Sequence, residues 1–178
     1  MKYADMAVPS RALHLWRYTP WARIHPSKVD EVPEANAVQF KVLEGGDLVE
    51  GAPRIIDAND IGRVFLSELG GSAWTFETNG SSDVVHLQAV ASGHVAVGHL
   101  HLSLNHDVTV VLHLSGESAW TGLHITGGVG TNVRSGFGLV NELSPNGKFL
   151  HCEDWRIGRD ASLELSLIHI SEPTRPIR

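Results

Sequence analysis

Between Val84 and Leu114 apolar and polar residues alternate almost without interruption, broken only at Ser92-Gly93 and at Asn105-His106-Asp107. Val85, Leu87, Ala89 and Ala91 share one face of the first stretch; Val108, Val110, Leu112 and Leu114 share one face of the last, with Thr109, Val111 and His113 opposite. A period of two is the mark of strands buried on one side. The middle stretch changes phase, from Val95 and Val97 to Leu100, Leu102 and Leu104, which predicts an extra residue or a corner near Gly98.

The pattern continues through Leu123 to Thr126, Phe137 to Leu143, Phe149 to Cys152 and Trp155 to Ile157, separated by Gly127-Gly128, Pro145-Asn146-Gly147 and Gly158-Arg159-Asp160. Strands this short stack either in a sandwich or barrel or in a β-helix, and no tight repeat period chooses between them. Upstream, Ala37 to Leu43 reads as a strand ending at Glu44-Gly45-Gly46-Asp47, and a short strand from Arg54 to Asp57 follows Pro53. Asp57 or Asp60 then caps a helix with Ile61, Phe65 and Leu69 on one face, which Gly70-Gly71 ends. Prolines at 9, 20, 26 and 33 forbid a long helix before that. There Arg11, Arg17 and Arg23 interleave with Trp16, Tyr18 and Trp21, read as an arm whose aromatics pack on the body rather than as a nucleic-acid platform.

Composition sharpens that choice. The 14 basic and 20 acidic residues leave a net charge of −6, against the basic excess a nucleic-acid surface needs. No apolar run is long enough to span a bilayer, and the opening residues lack the apolar core of a secretory signal. The lone cysteine, Cys152, excludes an internal disulfide and fits a reducing compartment, so the expected location is cytoplasmic, with no membrane or nucleic-acid partner. Residues 165–175 are what a transposase adapter used in preparing sequencing libraries encodes, so 165–178 are expected to be adapter-derived. The expected organisation is an N-terminal arm over 1–36, a small α/β lead-in over 37–80 and an incomplete β-helix core over 81–164.

Trp16-Arg17-Tyr18-Thr19 resembles the Trp-Arg/Lys-Tyr-Thr signature that opens members of the SufB/SufD family of iron-sulfur cluster assembly, SufD-type chains in particular, although Leu15 stands where an acidic residue often precedes the tryptophan. Ser115-Gly116-Glu117-Ser118-Ala119-Trp120, Gly136-Phe137-Gly138-Leu139-Val140 and Asp154-Trp155-Arg156-Ile157-Gly158-Arg159-Asp160-Ala161 are similar to turns and strands of the same family's core. The resemblance implies an all-β, right-handed parallel β-helix with a small mixed N-terminal part. It also implies a non-enzymatic scaffold of the SUF system that pairs with a SufB-like subunit and a SufC-like ATPase, whose binding segment follows the β-helix. An iron-sulfur cluster would be cargo of the full complex, with no cofactor held stably by this stretch.

Two constellations could carry chemistry. His99 and His101 flank Leu100 and project to one face, and Gly93, five intervening residues and then His99-x-His101 copy the start of a cupin motif. That suggests an alternative, a cupin-like β-barrel using both histidines as metal ligands. The ligand glutamate expected four or five residues on is replaced by Asn105 or His106, so the competing expectation is histidines on a solvated β face. Cys152 is the candidate cofactor ligand by its sulfur, but His151 beside it must point to the opposite face of a strand, and a buried, inert thiol is the commoner outcome. No serine-nucleophile motif, phosphate loop or dinucleotide fingerprint is present, and no catalytic residue is expected.

Overall fold

The computed structural model describes residues 2–10, 19–54 and 57–169. Trp16, Arg17 and Tyr18 of the opening motif lie outside them, as do Arg11 and the centre of the strand expected after Pro53. The elements are a short helix α1 (Trp21–Ile24), strands β1 (Asn36–Ala37), β2 (Gln39–Val42) and β3 (Gly46–Glu50), helix α2 (Ile61–Leu69), and strands β4 (Ser72–Thr78), β5 (Val84–Leu104), β6 (Val108–Val129), β7 (Arg134–Asn141), β8 (Lys148–Ile157) and β9 (Ser162–His169).

Strands β5 and β6 each run through one corner and contribute to two walls. The first half of β5 pairs in parallel with the first half of β6, then β7, then β9. The second half of β5 lies between β4 and the second half of β6, which in turn pairs in parallel with β8. The result is a parallel β-helix, a solenoid of about four turns, with β2 and β3 as the antiparallel exceptions at its N-terminal edge. Parallel pairing across the walls is not the antiparallel ladder of a cupin-like barrel. Strand β4, which the alternation does not advertise, already stacks in register beneath β5, so the solenoid begins before residue 81.

The corners are made by glycine. Gly116 sits at φ +112°, where its missing Cβ leaves room for the Ala91 carbonyl of the coil beside it, and Gly93 turns at φ +84° beneath Asn36, whose amide donates to the Ser92 carbonyl at 3.1 Å. Inside, Val85, Leu87, Leu102, Leu104, Val110, Leu112, Leu114, Ile125, Phe137 and Leu139 fill the space between the walls.

The phase change expected near Gly98 is not a bulge. Strand β5 stays in unbroken register with β4 and β6 through Gly98, and the true corner lies at Ser92 to His94. Val95 and Val97 are buried on the outer face, because α2 and the N-terminal arm cover it, while Ala96, Leu100, Leu102 and Leu104 face the core. Burial on both faces removes the alternation from the sequence.

Helix α2 forms where the sequence places it. Asp60 caps it by accepting from the Arg63 amide at 2.9 Å, and Gly70 at φ +72° ends it. Phe65 packs edge-on against Trp120 of the wall (5.9 Å) and Trp21 of the arm (5.3 Å). Trp120 Nε1 donates to the Ile24 carbonyl at 2.6 Å, and the Tyr3 hydroxyl donates to Val29 O at 2.6 Å while accepting from Trp21 Nε1 at 2.8 Å. Trp21 is buried and Arg23 exposed, as expected of an arm packed by its aromatics.

Candidate functional site

The helix-covered wall changes character along its length. In the outward-facing rows nearest the corner, Val95, Val97, Trp120 and Leu150 are apolar and lie under α2 and the arm. Strand register then stacks His99, His124 and Cys152 in one row and His101, Thr126 and Asp154 in the next. Period-two alternation places every one of these side chains on the outer face, and the solenoid brings together residues 25 to 28 positions apart.

His99 is buried, not solvated as a bare β face would leave it, at 4% exposure. Its Nε2 donates to Leu66 O at 3.1 Å, the last turn of α2, while its Nδ1 has no hydrogen-bond partner among the described residues. Burial first, and His124 at 5.9 Å second, push this imidazole down to about 4. His101 is half-buried, with Nδ1 2.7 Å from Thr126 Oγ1; burial and then the Arg54 guanidinium lower its proton affinity. The two histidines share a face, as the sequence implies, but bond in separate directions, one to the helix and one along the wall.

His124 anchors a polar cluster that the sequence does not reveal. Its Nε2 lies 2.8 Å from Asp154 Oδ2, which also accepts from Arg63 Nε at 2.7 Å, and Arg63 NH2 reaches Glu153 O at 3.1 Å. Burial alone would raise the Asp154 carboxyl, but hydrogen bonds from Arg63 and His124 outweigh it and hold it below its ordinary value. Desolvation lowers His124 despite Asp154, so a neutral ring donates through Nε2. The cluster therefore fastens α2 to the wall by charge-assisted hydrogen bonds. Two cues for it were present in the sequence, Arg63 three residues after the cap and an Asp154-Trp155 pair, but nothing local tells that residues 91 apart meet.

Cys152 lies under α2 in the same row, buried with Leu150 and Phe65, and burial pushes its thiol up to about 12 although Arg63 nearby opposes this. The uncharged thiol is part of the packed layer between α2 and the wall. His151 points the other way, as adjacent strand residues must, and its Nε2 lies 3.0 Å from Glu153 Oε1. Among the described residues no three His, Cys, Asp or Glu side chains converge on a point that could hold a metal ion.

No family model, curated protein or solved structure matches the chain. No helix among the described residues is long and apolar enough to cross a membrane.

Proposed function

We propose that this chain is a SufD-like scaffold subunit of the SUF iron-sulfur cluster assembly system, pairing in the cytoplasm with a SufB-like β-helix subunit and a SufC-like ATPase. The observation that carries the reading is where the SufB/SufD-like stretches fall in the solenoid. Ser115 to Trp120 makes the corner of β6, Gly136 to Val140 makes β7, and Asp154 to Ala161 ends β8 and turns into β9. Their aromatic residues serve packing. Trp120 holds the arm, and Phe137 of β7 meets Trp155 of β8 at 5.5 Å in a tilted contact within one coil. That is what a scaffold requires of a motif: fixed coils, with chemistry left to the assembled complex. Iron and sulfide are cargo in this reading, and Cys152 has a packing role.

The test is co-expression with a SufB-type subunit and a SufC-type ATPase from one genome. The scaffold reading expects the chain to co-elute with the SufB-type subunit at a fixed ratio after high-salt washing. Failure to form that complex, with both chains soluble and folded, overturns it.

A further inference from the structure

Beyond the His99 and His124 row the outer wall opens into a cleft of about 500 Å³, lined among others by Arg54, His101, Thr126, Gly128, Asp154 and Arg156. We propose that this cleft binds a phosphate-class oxyanion, the phosphate group of a small organic monoester. The proposal goes beyond the scaffold reading and does not depend on it.

Charge is the first reason. Arg54 and Arg156 have no carboxylate within ion-pair distance among the described residues, in a chain whose acidic residues outnumber its basic ones. The carboxylate on the rim, Asp154, is already held by Arg63 and His124, so its charge is answered from the far side and the cleft keeps a net positive character. Two planar guanidinium forks facing one space suit a tetrahedral oxyanion, which accepts several directed hydrogen bonds at once.

Shape is the second reason. Register stacks Ser103, Gly128 and Arg156 in one outward row, and at Gly128 a side chain would project into open space, with no atom within 4 Å of its Cβ position. The glycine thus forms a notch between two layers that carry side chains. The Thr126 hydroxyl and His101 line the same wall 2.7 Å apart, giving neutral polar groups beside the two cations. The volume exceeds what a bare anion fills and falls within the usual span of small-molecule sites, roughly 300–1,000 Å³.

The test uses the whole chain, with inorganic phosphate and ribose 5-phosphate as probes at constant ionic strength, read by calorimetry and by phosphorus NMR. One saturable site is expected, tighter for the sugar phosphate than for inorganic phosphate. Arg156→Gln and Arg54→Gln should each weaken binding about tenfold, the order expected for one charge-assisted contact. Gly128→Val should abolish binding while leaving the melting temperature near that of the parent, because valine suits a strand and meets no neighbour there. Arg134→Gln, on the other wall, should change nothing. Absence of saturable binding for both probes overturns the proposal, as does retention of full affinity by Gly128→Val. An equal loss in Arg134→Gln would also overturn it, by showing diffuse charge attraction instead of a site.

Discussion

His99 shows how much one side chain depends on the coil above and below it. Below pH 6.5 the unfolded chain takes a proton on this ring that the folded chain refuses until about pH 4. Stability therefore falls through that interval, by about 3 kcal/mol from this group, and changes no further from it below pH 4. Asp154 acts in the same direction at lower pH, since its depressed carboxyl stabilises the fold until it is protonated. His99→Gln keeps a donor toward Leu66 O and removes the titration. Urea unfolding at pH 7 and pH 4.5 should show the parent losing most of that difference and the variant losing markedly less; parallel losses would mean the imidazole does not titrate as its burial requires. Asp154→Asn should cost about 2–4 kcal/mol at pH 7, because it leaves Arg63 partly buried against an uncharged partner.

The helix and the wall are joined as elements, and the thiol beneath the joint reports on it. Phe65→Ala removes the ring that packs on Trp21, Tyr3 and Trp120, and should cost about 3–5 kcal/mol. Cys152 in the parent should react with iodoacetamide only when α2 lifts, so the same substitution should raise its labelling rate by more than tenfold without altering the far-ultraviolet signal of the walls; unchanged labelling would place the thiol outside the helix's cover. At this scale the legible and illegible parts of the sequence separate cleanly. Helix α2 is readable because its cap, its apolar face and its terminal glycine are all local. The half-buried strands are readable because one face meets water. Residues Val95 to Leu100 are not readable, because two different layers bury their two faces. The His124, Asp154 and Arg63 cluster is invisible for a related reason: what brings it together is coil register, not spacing.

For the whole molecule, that register is itself irregular. Ser72 pairs with Gly98, Val84 with Thr109 and Trp120 with Lys148, so successive coils advance by 26, 25 and 28 residues. Unequal coils explain why no repeat period stands out although the architecture is repetitive. The same architecture leaves its ends exposed. Strand β9 completes the last layer by pairing Leu165 to His169 with Phe137 to Asn141, within residues expected to be adapter-encoded, and Leu165, Leu167 and Ile168 remain about half exposed. Ending the chain at Glu164 would uncover that part of the β7 edge. Residues 1–164 should therefore associate in a concentration-dependent way in light scattering, and a monomer stable across a hundredfold range of concentration would contradict this.

The arm docked on the covered wall also imposes an order of events on synthesis. Trp120 reaches back 96 residues to Ile24, and Lys148 reaches back 125 residues to Arg23. Trp21 and Tyr3 are thus made first yet have no completed surface to rest on until the third and fourth coils have left the ribosome. The solenoid can grow coil on coil without them, since neighbouring strands supply its register. The arm can therefore close over the wall only once those coils are in place, and until then Trp21 lacks the finished surface that buries it.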